Sequence, residues 1–158
     1  MAMNAPVSIN ARIVEGLYCE ALVLSDEVRD AFDISAKRTK DDSAEDDLAR
    51  VALSCEALRT TTRMMHALAW LLNQRAYLLG EISEFQLRRY GRLATESRSS
   101  DPDRLDMLKP GLQELIAATE RFYARLERLD AGWRKTPPLH GPSAVSRLRN
   151  RLNVAVNH

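Results

Sequence analysis

Charge of one sign is missing from this 158-residue sequence: 23 Lys and Arg nearly cancel 22 Asp and Glu, leaving a formal +1. Such balance weighs against a chain whose main work is to hold nucleic acid, which usually shows a basic face and a high isoelectric point. Cysteine is scarce as well, and Cys19 and Cys55 make no disulfide framework. The longest run without a charged residue, Met64 to Gln74, falls well short of the roughly 20 apolar residues that cross a bilayer. Met1-Ala2-Met3-Asn4-Ala5-Pro6 lacks the basic and apolar regions of a secretory signal. A cytoplasmic protein is expected. The six glycines never form a G-x-G-x-x-G or G-x-x-x-x-G-K phosphate loop. What remains is a chain that is 45% hydrophobic. At this length a fold buries roughly 68–70% of the surface of the extended chain, enough for a core without disulfide or metal.

Helical periodicity is strong in three segments. Leu105, Leu108, Leu112, Leu115, Thr119, Phe122, Leu126, Leu129 and Trp133 follow one another at steps of three and four, which draws one apolar seam along a helix. Pro110 suits a first helical turn, so the regular helix starts near Lys109, with Asp103 to Leu108 a separate turn before it and Gly132 as the stop. Val14, Leu17, Ala21, Leu24, Val28 and Ala31 repeat the rhythm and predict a helix from Ser8 to Ile34. Ser35 to Asp42 lacks apolar period and reads as a connecting loop. Ser43 with Asp46 opens a middle helix predicted over 44–79.

That middle helix carries two apolar stripes. The first is Leu48, Val51, Cys55, Leu58, Thr62, Met65, Ala69, Leu72, Ala76 and Leu79; the second is Leu53, Thr60, Met64, Ala67, Leu71 and Leu78. At about 100° per residue they lie on nearly opposite sides. Two neighbouring helices do not easily cover both. The second stripe is therefore met either by a short helix after Gly80, where Ser83 and Gln86 form another capping box, or by a second copy of the chain. On the latter reading Leu53, Met64, Ala67, Leu71 and Leu78 make the dimer interface.

The expected fold is all-α: an antiparallel three-helix bundle over residues 9–133, with a short extra helix between its second and third members. Residues 1–8 are expected to be a flexible N-terminus and 134–158 a flexible, disordered basic tail. Thr136 to Ser143 is rich in proline, and from Arg134 onward there is no acidic side chain. Val145, Leu148, Leu152 and Val156 keep helical spacing among Arg147, Arg149 and Arg151, as in a peptide that binds a groove elsewhere; the alternative is that this segment docks on its own domain or frays.

Catalytic and metal chemistry have no foothold. H-E-x-x-H, paired C-x-x-C and Glu-x-x-His are all absent, and neither His66 nor Cys55 has a second ligand three or four residues away. Cys19 faces no histidine on its own helix, so a structural cysteine is the simpler account. No enzyme activity, cofactor or metal is expected. Arg59 and Arg63 share one side of the middle helix, with Trp70 and Gln74 further along, the composition of a binding hot spot. The competing reading pairs the arginines with carboxylates of a neighbouring helix while the indole completes the core.

The stretch Arg59-Thr60-Thr61-Thr62-Arg63-Met64-Met65-His66-Ala67-Leu68-Ala69-Trp70-Leu71-Leu72-Asn73-Gln74-Arg75-Ala76, then Gly80-Glu81-Ile82-Ser83, resembles the signature of the RcdA family, alphaproteobacterial regulators of CtrA degradation also catalogued as a domain of unknown function. Leu108-Lys109-Pro110 and Leu126-Glu127-Arg128-Leu129-Asp130 are similar to the family's last helix. The resemblance implies a dimeric bundle with a flexible C-terminal tail, acting as an adaptor that helps the ClpXP protease, primed by a response-regulator partner, receive cell-cycle substrates at the cell pole. Arg59, Arg63, Trp70 and Gln74, with Arg147, Leu148, Arg151, Leu152 and Val156 of the tail, are then the expected partner-binding residues. The alternative is a helical oligomerisation or scaffold module with no protease link; nucleic-acid binding through the tail ranks below both.

Overall fold

A computed structural model describes residues 9–38, 44–95, 100–137, 148–149 and 151–152, with 44–46 as backbone only. The residues expected to form the flexible N-terminus lie outside these, as do Ser43 of the first capping box, Arg147 and Val156. The chain forms α1 (Ala11–Arg38), α2 (Ala44–Leu78), α3 (Glu84–Tyr90), α4 (Pro102–Asp106) and α5 (Pro110–Lys135), and among the described residues there is no strand.

Local chemistry sets the ends of these helices. Asn10 Oδ1 accepts from the Ile13 amide at 2.9 Å and opens α1. α1 runs into the stretch expected to be a loop, because Lys37 and Arg38 suit the negative end of a helix better than the absence of apolar period suggests. α2 stops at Gly80, whose φ of 77° lets the Glu81 amide reach the Ala76 carbonyl at 2.9 Å while the Gly80 amide reaches that of Tyr77. α3 starts with the expected box: Ser83 Oγ accepts from the Gln86 amide, and Gln86 Oε1 accepts from the Ser83 amide at 2.8 Å. Gly132 does not end α5, since a glycine without a left-handed conformation only weakens a helix. Pro137 does, by keeping Thr136 extended.

The three long helices pack on one another, and their directions differ from an all-antiparallel arrangement. α1 and α2 are antiparallel: Glu15 meets Arg75 at one end, and Val28 and Phe32 share a cluster with Leu53 at the other. α2 and α5 run the same way, because Arg63 bonds Thr119 and Trp70 bonds Asp130, the numbers rising together. The physical reason is the crossover over residues 79–109. Through α3, the irregular stretch over residues 91–95 and α4, it returns the chain to the start of α2 before α5 begins.

One apolar cluster joins Val14, Leu17 and Ala21 of α1 to Met64, Ala67, Trp70 and Leu71 of α2 and Phe122, Tyr123 and Leu126 of α5. Leu93 closes it from the crossover. A second cluster, with Val28, Phe32, Leu53, Leu108, Leu112 and Ile116, fills the other end. Full burial of side chains such as Leu71 and Leu126 contributes roughly 1.5–3 kcal/mol each, which anchors the helices around α2.

Candidate contact surface

The inward side of α2 is where the sequence reading placed its exposed residues. Arg63, Trp70 and Gln74 are each at most 2% exposed. Arg63 Nη1 donates to Thr119 Oγ1 at 2.9 Å, its Nη2 lies 3.5 Å from Glu120 Oε1, and Trp70 Nε1 donates to Asp130 Oδ1 at 3.0 Å. Arg59 keeps about a quarter of its side chain exposed and sits 3.8 Å from Glu56 Oε1. Arg63 and Trp70 follow the competing reading, in the α2–α5 seam and not on an outward recognition face; Arg59 differs from it, since Glu56, the carboxylate beside it, is on its own helix. The signal of this seam in the sequence was Thr119, a hydroxyl on an otherwise apolar seam, next to Glu120.

A polar column of this kind fixes how the helices slide. The fully buried Glu56 accepts from Ser100 Oγ at 2.8 Å, and Ser100 Oγ also lies 3.1 Å from Glu120 Oε1. A hydroxyl has one proton, so it serves one carboxylate at a time. Thr60 Oγ1 and Gln74 Nε2 are buried without a hydrogen-bond partner, each a desolvation cost of about 1–3 kcal/mol. A seam with these losses contributes specificity of register as well as cohesion.

The expected dimer residues are corrected in the same way. Leu53, Met64, Ala67 and Leu71 are core side chains of a single chain, and Leu78 alone among them is exposed. The crossover and α1 cover this stripe, so a second copy has no access to it. The other stripe faces outward. Leu48, Val51, Leu58, Met65 and Leu72 are exposed, Leu58 at 70% and Met65 at 64%.

Between Arg50 and Arg75 nine residues of α2 are exposed: Val51, Ser54, Leu58, Thr61, Thr62, Met65, His66, Ala69 and Leu72. None is Asp, Glu, Lys or Arg. In a chain that is 28% charged this is a marked depletion, and it runs about 32 Å along the helix from Val51 to Leu72. Protein contact surfaces are depleted of charge at their centres in the same manner. Arg75, at the boundary, donates from Nε to Glu15 Oε1 at 2.6 Å, a hydrogen bond that raises the guanidinium pKa above its ordinary range.

In the C-terminal segment, Leu148 and Arg149, and Arg151 and Leu152, have helical backbone and are exposed. Among the described residues no three His, Cys, Asp or Glu side chains converge as a metal site would require, and no helix is long and apolar enough to cross a membrane. Cys19 is exposed and Cys55 half-buried, both as free thiols.

A family model described as Protein of unknown function (DUF1465) matches residues 6–156, nearly the whole chain, and the chain belongs to that family. No curated protein and no solved structure matches it.

Proposed function

We propose that this DUF1465 protein is a non-catalytic adaptor of the RcdA type in regulated proteolysis, a homodimer that helps deliver bacterial cell-cycle regulators to ClpXP through protein contacts. The observation that carries the reading is the outward face of α2, exposed and without Asp, Glu, Lys or Arg from Val51 to Leu72, with Val51, Leu58, Met65 and Leu72 as its large apolar groups. The resemblance of Arg59–Ala76 to the RcdA signature supports the protease link, with a response regulator and substrate proteins as partners and the cytoplasm, at the cell pole, as the place of work. No cofactor, membrane or nucleic acid enters this reading.

In it, the dimer forms through the outward α2 faces, with Leu58 and Met65 near the two-fold axis, in place of the inner stripe. Antiparallel docking of two such faces would bury an apolar strip without stranding a charge. Delivery works by proximity: a substrate held on the adaptor meets the protease at the effective concentration set by the tether. Residues 137–158 supply that tether, with Arg147, Leu148, Arg151, Leu152 and Val156 engaging a partner groove.

The test is a reconstituted ClpXP degradation assay containing the response regulator. The full chain accelerates turnover of a cell-cycle substrate, and a chain ending at Thr136 folds equally well but does not. Equal stimulation by both forms would remove the tail from the mechanism. No stimulation by either, together with a stable dimer, would favour the second reading, a scaffold module, which the uncharged α2 face supports equally.

A further inference from the structure

The seven-residue α3 is too short to hold together in water by itself, since helix nucleation is unfavourable. It is nonetheless pinned on every inner side. Leu87 is fully buried, the Ser83 and Gln86 box closes one end, and Arg88 Nη2 donates to the Thr136 carbonyl at 2.9 Å while its guanidinium stacks 4.5 Å from the Trp133 ring. Arg134 Nη1 donates back to the Arg88 carbonyl at 2.9 Å. Gly91 admits no side chain, as a Cβ there would lie 2.7 Å from both the Leu87 carbonyl and its Cδ1.

The outer side of this rigid element is left bare. Phe85 is 68% exposed and Tyr90 72%, with the Arg89 guanidinium 5.4 Å from the Tyr90 ring. Neither Arg89 nor Arg92 forms an ion pair among the described residues, whereas Glu84 on the same helix is committed to Arg88. Arg92 carries the face into a hollow of about 350 Å³ that it shares with Glu127, Asp130 and Arg134; Asp130 is bound by Trp70 and Arg134, and Arg134 Nη2 is buried without a hydrogen-bond partner. Aromatic and arginine side chains on a stiff support are the composition of an interface hot spot, and the stiffness lowers the ordering cost of binding.

We propose that the outer face of α3 with Arg92, namely Phe85, Arg89, Tyr90 and Arg92, docks an acidic peptide segment bearing an aromatic or aliphatic anchor. The anchor packs on Phe85 and Tyr90, and the carboxylates meet arginines that form no ion pair among the described residues. Charge complementarity selects this occupant over a basic one, and the root of the acid-free C-terminal segment lies beside the same helix through Arg88 and Thr136. The proposal does not depend on protease delivery, because it concerns a surface separate from α2 and needs no tail.

The test is selection from a random twelve-residue peptide display library on the immobilised full-length chain, followed by titration of the strongest binder into isotopically labelled protein. The expected result is enrichment of sequences rich in Asp and Glu around Phe, Tyr or Leu, amide shifts concentrated at residues 84–92, and at least a tenfold loss of affinity in F85A and in R89E/R92E, whose exposed positions leave the circular dichroism unchanged. No enrichment, enrichment without acidic residues, or shifts elsewhere would overturn it. A drop in sedimentation mass in R89E/R92E would overturn it too, by showing that this face holds a second copy.

Discussion

α2 presents two faces of similar apolar content with opposite fates. Its inward face carries Glu56, Thr60, Arg63 and Gln74 and is buried; its outward face from Val51 to Leu72 carries no charged residue and is exposed. Apolar periodicity marks both stripes and does not say which one turns in. That is decided by the neighbours. α5 offers Thr119, Glu120 and Asp130 at the levels of Arg63 and Trp70, and the crossover offers Ser100 to Glu56, so these three side chains of α2 have partners inside. The uncharged face meets no such set among the described residues.

The contrast can be broken from the inside first. Arg63→Ala truncates a fully buried side chain and takes a donor from Thr119, while the part-exposed Glu120 keeps Ser100 and solvent, so a loss of about 3 kcal/mol in urea unfolding is expected. Leu71→Ala opens a cavity in the larger cluster and is expected to cost about 3 kcal/mol. Trp70→Phe keeps most of the ring volume but takes one donor from Asp130. Because Arg134 still serves that carboxylate, the expected cost is only about 1 kcal/mol. On the outside the order reverses in kind: Leu58→Glu with Met65→Glu should move folding stability by under about 0.5 kcal/mol per site while abolishing the proposed dimer in sedimentation. If the outward pair proves as destabilising as Leu71→Ala in a chain that sediments as a monomer, the two faces are not distinct in role and the contact reading of α2 fails.

Much of this fold was written where local chemistry suffices. The Ser83 and Gln86 box, the stop at Gly80 and the apolar seam through Leu112, Phe122 and Leu126 each follow from a few neighbouring residues. What escaped were decisions made between distant segments. The burial of Arg63 depends on Thr119, and the common direction of α2 and α5 depends on a crossover whose course is set by Leu87, Leu93 and Ser100 docking beneath it. The α3 surface escaped for a different reason: spacing alone does not say whether Phe85, Leu87 or Tyr90 turns inward on so short a helix, and the structure buries Leu87 and leaves Phe85 and Tyr90 exposed.

The shared direction of α2 and α5 also imposes a sequence of events on a newly made chain. α1 and α2 form a hairpin from nearby residues, a contact that closes early, whereas Arg63 meets Thr119 only after the crossover has been traversed, and distant pairings of this sort are slow to form. Until α5 arrives, the nascent hairpin lacks Thr119 and Asp130 as partners for Arg63 and Trp70 and leaves the side of α2 that α5 will cover open to water, so α5, made after the hairpin, is the helix that completes the interior.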